Sequence, residues 1–348
     1  LACVHCSVSE TAHPHYERTG YLDVDLAEGL FGDLEQSGAR FDSLVMFWLG
    51  EPLIHPHFPR IWQAAVRSAV RGRVFGKVEV HTNATHLTAA VTRGVLNQAA
   101  VPQVWHFSLD AIERDAYLKI KGMDRFEKVQ RNVERFIVKR AELGAVWPRP
   151  VFQFIVGENN VAQVAAFRDH WQTVCESAGT PVRAAAGHVP PGEDAIIFFR
   201  QLDCPTPQAQ ERVNALFRDA MEEQGLKVPE QAEAGRKVRA DNPSPCSGFW
   251  KSPVVSWQGE VTTCTRDSLL ENQVGTLHEA PFSTLWWGEE MAHRRRAVAG
   301  GDYSGLPTCT HCFIPRSLNY SGLHPDDIAA QAEWDAAHCA GASLERAG

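Results

Sequence analysis

Short apolar runs alternate with amphipathic stretches along the first half of the chain. Ser43-Leu-Val-Met-Phe-Trp-Leu49 is a continuous apolar run, the pattern of a strand buried on both faces. Further strands are predicted at Lys77–Val80, Val104–Ser108, Val151–Val156 and Val182–Ala186, the last of the series. Apolar residues recur at helical spacing over Pro59–Arg71, Thr88–Asn97, Arg125–Leu143 and Val161–Ser177, with one more helix, Asp25–Leu34, ahead of the first strand. Such alternation predicts parallel βαβ units with right-handed crossovers. From about Pro190 the rhythm changes. Pro190-Pro-Gly-Glu-Asp194 is turn chemistry, Gln208–Gly225 a polar helix, and Glu230–Pro245 a charged linker rich in Pro and Asn. A second, small module begins at Cys246, so the expected divisions are 1–195, 196–242 and 243–348.

The polar turns fall just after the strands. Gly50-Glu51-Pro52 follows the first, Thr82-Asn83 the second, and Ser108-Leu109-Asp110 the third. Parallel sheets bind ligands at the carboxyl ends of their strands, so three such turns in succession read as one site. Gln153, on the next strand, is a weaker candidate for the same site.

Nine cysteines are too sparse for a disulfide scaffold in 348 residues. Most fall in two groups, at the start of the chain and after residue 245, which favours metal ligation in a reducing compartment, the cytoplasm. A net charge of −8 argues against a nucleic-acid surface. No apolar run reaches the roughly 18–20 residues of a membrane helix, and no membrane association is expected. By spacing alone, Cys3-Val-His-Cys6 fits a redox pair, half a zinc site completed by His13 and His15, or part of an iron–sulfur ligand set. Cys246, Cys264, Cys309 and Cys312 likewise fit a zinc ribbon or a cluster.

Taken together, the motifs resemble those of the radical S-adenosylmethionine (radical SAM) enzymes. Cys3-x-x-Cys6 is similar to the tail of their C-x-x-x-C-x-x-C loop, whose first cysteine would fall ahead of Leu1; the sequence is therefore expected to begin inside a longer protein. Leu49-Gly50-Glu51-Pro52-Leu53-Ile54-His55-Pro56 resembles the G-G-E-P-L-x-H-P segment that binds the methionine amino group, with Leu49 in place of the first Gly. Thr82-Asn83-Ala84-Thr85 resembles T-N-G-T, with Ala84 in place of Gly, and Ser108-Leu-Asp110-Ala111 resembles the segment lining the ribose side. The C-terminal cysteines resemble the SPASM/twitch module of one subgroup.

The resemblance implies a partial (β/α)6 barrel holding a three-cysteine [4Fe-4S] cluster and S-adenosylmethionine, followed by a module with one auxiliary [4Fe-4S] cluster on Cys246, Cys264, Cys309 and Cys312. It further implies a small-molecule substrate and a reducing partner such as flavodoxin or ferredoxin. The expected activity is oxidation of a sugar- or aminocyclitol-like natural-product intermediate. Epimerisation, dehydration and peptide maturation are the alternatives within the class, and a non-catalytic metal-stapled binding protein lies outside it. Cys204, just past the last predicted strand, is the candidate hydrogen-atom donor, and His188 the candidate general base. Trp250, Trp257, Trp286 and Trp287 are expected to pack the small module's core, and Arg294–Arg296 to form a solvated helix face.

Overall fold

The computed structural model describes residues 3, 19–97, 99–204, 207–229, 243–312, 314–316 and 323–339. The chain divides into two compact units, one of residues 1–17 and 40–235, the other of residues 18–39 and 236–348. Among the described residues no helix is long and apolar enough to cross a membrane.

The first unit is built on six parallel strands: β1 (Leu44–Val45), β2 (Val78–Thr82), β3 (Gln103–Ser108), β4 (Arg149–Val156), β5 (Val182–Ala186) and β6 (Ala195–Gln201). Their order across the sheet is β1-β2-β3-β4-β6-β5. Because β-strand side chains alternate, the sheet has two chemically different faces. One carries Trp105, Phe107, Phe152, Phe154 and Phe199, all essentially inaccessible to solvent. Helices α2 (Phe58–Arg71), α5 (Phe126–Glu142) and α6 (Val164–Ser177) meet these rings with aromatic side chains of their own. Trp62 packs edge-on to Trp105 at 5.4 Å, Phe136 edge-on to Phe107 at 5.3 Å, and Trp171 stacks on Phe152 at 4.6 Å. Full burial of each such side chain contributes about 1.5–3 kcal/mol, so this layer is a major source of the unit's stability. Val129, Val133, Phe136 and Ile137 of α5 fall on one helical stripe, which is why the sequence pattern revealed that helix.

The opposite face is mixed. Val104, Val151, Ile196 and Phe198 form a small apolar cluster, while Glu79, His81, His106 and Gln153 stand on the same side. Helices α3 (Ala89–Val95) and α4 (Arg114–Lys121) complete the helical series up to α6, and α7 (Pro207–Glu223) packs on β4 and β6.

Two expectations change here. Strand β6 was not predicted: Ala195-Ile-Ile-Phe-Phe199 lies behind the proline-rich turn and reaches its place between β4 and β5 without an intervening helix. The first strand is only Leu44–Val45, because ladder pairing with β2 ends within a residue of Val45.

The second unit contains α1 (Val24–Gln36), a three-stranded antiparallel sheet of β7 (Val254–Val255), β8 (Glu260–Thr262) and β9 (Gly275–Thr276), and short helices α8 (Gly248–Lys251), α9 (Phe282–Trp286), α10 (Glu289–Ala299), α11 (Pro307–Thr310) and α12 (Pro325–Cys339). Asp33 of α1 accepts hydrogen bonds from the backbone N–H and hydroxyl of Ser283 at 2.8 and 2.6 Å, fixing α1 against α9. Thus residues 18–39, expected with the barrel, pack with the C-terminal segments, and residues 196–235 belong with the sheet rather than forming a separate linker. Trp286 is a core residue, 1% exposed. Arg295 is not on a solvated face. It is 2% exposed, its guanidinium donating to the Trp286 and Phe249 carbonyls and pairing with Asp335 at 3.3 Å.

Candidate active site and metal centre

At the carboxyl ends of β1 and β2 the two predicted turns meet through one carboxylate. Glu51 Oε1 accepts from the Thr82 hydroxyl at 2.6 Å and the Leu53 N–H at 3.0 Å, and Oε2 accepts from the Asn83 N–H at 2.7 Å. Burial pushes the Glu51 carboxyl up from its ordinary range, and these three bonds act against it. Asn83 turns its own side chain onto Thr85, accepting from that residue's N–H and hydroxyl at 3.0 and 2.6 Å. Ala84, where the resembling motif has Gly, adopts φ +59°, and its carbonyl accepts from Asn132 of α5 at 2.8 Å. The left-handed conformation is the physical reason for a glycine there, and this chain holds it with a Cβ.

Ser108 ends β3 and pairs in register with Gln153, which is 5% exposed. Asp110 is φ +61° and 1% exposed. Its carboxylate pairs with Lys121 of α4, itself 3% exposed, and accepts from the Ile155 N–H at 2.8 Å. Asn160 donates to its carbonyl at 2.8 Å. The aspartate expected at the cofactor's ribose therefore spends its charge on joining β3, α4 and β4. Gly50 is exposed, and an added Cβ there would meet nothing within 4 Å among the described residues. Pro52 opens a single 3-10 turn, Pro52–Ile54.

Cys3 is half-buried beside α4, where its thiol, after burial itself, pushes the Tyr117 phenol up. Cys6 lies outside the described residues. Cys204 follows β6 and is 7% exposed, with its Sγ 3.9 Å from the Leu202 carbonyl and its N–H donating to Gln210 at 2.9 Å. His188 is exposed, two residues past edge strand β5.

One group escaped the sequence reading. Glu79, His81 and His106 bring potential ligand atoms within 4.8 Å of one another on the mixed face of the sheet. The signal for Glu79 and His81 was the polar alternation in Lys77-Val-Glu-Val-His, read as a strand and the start of its turn, while His106 was weighed only as one of several histidines that could serve as a general base. Glu79 is held down to about 2: burial is the largest influence and raises it, but bonds with His106, Lys77 and Ser43 outweigh it. Burial, reinforced by His106, brings His81 down to about 3. The two imidazoles stack at 4.0 Å with planes 4° apart, and Phe47 stacks on His81 at 4.5 Å. Imidazole ligates in its ring plane, and parallel planes share no common point, so this trio is not arranged for one ion.

The C-terminal cysteines do converge. Cys246, Cys264, Cys309 and Cys312 line one cavity with Phe249, Tyr303, Ile314 and Pro315. Burial, then the other three thiols, pushes Cys309 up to about 12, and burial raises Cys264 too. Four crowded thiolates are tolerable only around a positive centre. A Cβ on Gly248 would come within 3.0 Å of the Thr263 carbonyl and 3.6 Å of the Cys246 sulfur, so glycine lets the first two ligand turns approach. Asn272 Nδ2 donates to Cys309 Sγ and the Arg266 N–H to Cys264 Sγ, each at 3.2 Å.

Residues 246–313 match the SPASM family, an iron–sulfur cluster-binding domain. No curated protein matches the chain in sequence. Among solved structures, native anSMEcpe with bound AdoMet aligns with TM-score 0.54 at 12% identity, covering 97% of this chain and 93% of the other. Its complex with AdoMet and the Kp18Cys peptide gives TM-score 0.53 at 12% identity, covering 97% and 92%. Streptococcus suis SuiB bound to S-adenosylmethionine aligns with TM-score 0.50 at 11% identity, over 82% of this chain but only 60% of SuiB. BtrN with AdoMet and 2-DOIA covers 90% of this chain and 87% of that one at 13% identity, with TM-score 0.46. Fold and domain match together give the chain the fold of the AdoMet-binding anSMEcpe, with a SPASM domain at residues 246–313.

Proposed function

We propose that the chain is a radical SAM oxidoreductase that dehydrogenates a small sugar- or aminocyclitol-like intermediate. The observation that carries this reading is the convergence of Cys246, Cys264, Cys309 and Cys312 on one cavity, a full set of four thiolate ligands. When bound, the barrel cluster and S-adenosylmethionine supply a 5′-deoxyadenosyl radical that abstracts a hydrogen atom, and the auxiliary cluster supplies an acceptor for the remaining electron. The residues this chain offers the first cluster are Cys3 and Cys6. Glu51 orders the Gly50–Pro52 turn for the methionine end by holding Leu53, Thr82 and Asn83, while Ser108 and Gln153 stand side by side beyond it. Four protein ligands leave the second cluster no open iron, which suits electron transfer rather than substrate chelation. A flavodoxin or ferredoxin is the proposed electron source.

Peptide modification is the second reading, favoured by the fold likeness to the peptide-bound anSMEcpe complex. Anaerobic reconstitution followed by iron analysis tests the common core. About eight irons per chain and release of 5′-deoxyadenosine on reduction support it, and zinc without iron refutes it. Product analysis with a panel of aminocyclitols, sugars and cysteine-containing peptides separates the two readings. A carbonyl product from a cyclitol or sugar supports the first, and turnover of peptides alone overturns it.

A further inference from the structure

We infer that Asn272 sets the reduction potential of the cluster held by Cys246, Cys264, Cys309 and Cys312. The inference rests on the auxiliary-cluster reading above and adds to it the residue that tunes the acceptor. Asn272 Nδ2 lies 3.2 Å from Cys309 Sγ, and the residue is 2% exposed. Its backbone is pinned on both sides, the N–H donating to Asp267 at 3.0 Å and the carbonyl accepting from Arg294 at 2.6 Å. These bonds fix the main chain from which the amide reaches the sulfur.

Among the described residues the NH2 group faces sulfur, while the amide oxygen, Oδ1, is buried without a partner. A metal-bound thiolate can only accept, so the NH2 group is the half of the amide that can serve it. The N–H dipole points its positive end at the sulfur and stabilises the more electron-rich, reduced cluster, raising its potential. Asn272 itself is buried, and Phe249, Tyr303, Ile314 and Pro315 line the cavity alongside Arg266, Asp267 and Thr308, so this dipole acts at short range in a largely enclosed setting. Cys264 also receives a hydrogen bond, but from the main-chain N–H of Arg266, which a side-chain substitution leaves in place. The Asn272 bond can therefore be removed separately.

The test uses the full chain with Cys3→Ala and Cys6→Ala, so that only the C-terminal cluster loads on anaerobic reconstitution. Midpoint potentials are read by EPR-monitored redox titration of this parent and of its Asn272→Leu derivative. The expected result is a lower potential in the derivative at equal iron and sulfide content. Loss of one exchangeable-proton coupling, seen by comparing spectra in H2O and D2O, is expected with it. If Leu prevents loading, Asn272→Ala removes the amide without added bulk and is read the same way. Equal potentials and unchanged proton couplings at full iron content overturn the inference while leaving the cluster reading intact. A parent that takes up no iron overturns both.

Discussion

Replacing Asp267 by Ala tests how the cysteine ligands are held in place before any metal arrives. The carboxylate is 1% exposed and accepts four hydrogen bonds. Thr262 Oγ1 and the Asn272 N–H donate to Oδ2 at 2.5 and 3.0 Å, and Thr308 Oγ1 and the Glu271 N–H to Oδ1 at 2.7 and 2.9 Å. It thus joins strand β8, the turn that aims Asn272 and the residue next to Cys309. After truncation the Thr308 hydroxyl keeps Glu271 Oε2 at 2.8 Å, and Glu271 is exposed enough for its N–H to reach water. Thr262 and Asn272, 0% and 2% exposed, are left as buried orphan donors. At about 1–3 kcal/mol each, less the relief of a desolvated charge, the expected loss is about 2–4 kcal/mol. Asp267→Asn keeps the shape and one acceptor oxygen and should lose about half as much. Denaturant-dependent hydrogen exchange of peptides within 260–312 reads the loss locally, and iron analysis after reconstitution reads its consequence. A loss below about 0.5 kcal/mol for Asp267→Ala, with full iron uptake, would refute the idea that buried donors make this carboxylate indispensable.

Other expectations follow from the first unit. Unfolded histidine titrates near 6.5 but His81 only near 3. The unfolded chain therefore binds a proton that the fold refuses, and stability falls as pH drops through this window. At about 1.4 kcal/mol per pH unit, His81 accounts for about 2 kcal/mol of loss between about pH 7 and 5, which His81→Phe should remove from the pH profile of chemical denaturation; an unchanged slope sinks the argument. Ala84→Gly should stabilise the unit by about 1 kcal/mol in the same assay, since Gly carries no Cβ into the left-handed region. Lys121→Met strands the buried Asp110 carboxylate and should cost about 3–5 kcal/mol, whereas a loss under about 1 would mean the pair is not buried in solution. Cys204→Ala should leave product formation intact if the reaction is an oxidation; lost product with continued S-adenosylmethionine cleavage would instead make Cys204 a hydrogen-atom donor.

The parallel architecture was legible because α5 and α6 carry apolar stripes and because the largely apolar strands β3 and β4 alternate with them along the chain. Strand β6 was not, since Ala195–Phe199 follows a proline-rich turn and no helix separates it from β5. An apolar run of that length has no period to distinguish strand from helix, and alternation of elements was the stronger guide. Glu51 and Thr82 were recognisable as strand-end residues, but their direct bond joins positions 31 apart and has no local signature. Asp110 shows the limit most clearly. A motif gives the residue, but the disposition of its charge depends on Lys121, which burial turns into a partner and which in sequence is an ordinary helix lysine. Likewise the four ligand cysteines could be chosen by spacing, whereas Asp267 and Asn272 are unremarkable polar letters until the fold closes them around sulfur.

The bonds from Ser283 to Asp33 span 250 residues, and they set a timetable for synthesis. Helix α1 leaves the ribosome before any strand of the parallel sheet, yet its docking partner is made 250 residues later. At about 5–20 residues per second, α1 waits roughly 12–50 s with Ala27, Phe31 and Leu34 uncovered. During that interval the sheet can form while α1 stands idle as a nascent apolar ribbon, open to a chaperone or to another unfinished chain. Cys309 and Cys312 emerge later still, so α1 and the four-cysteine ligand set of its unit are completed together.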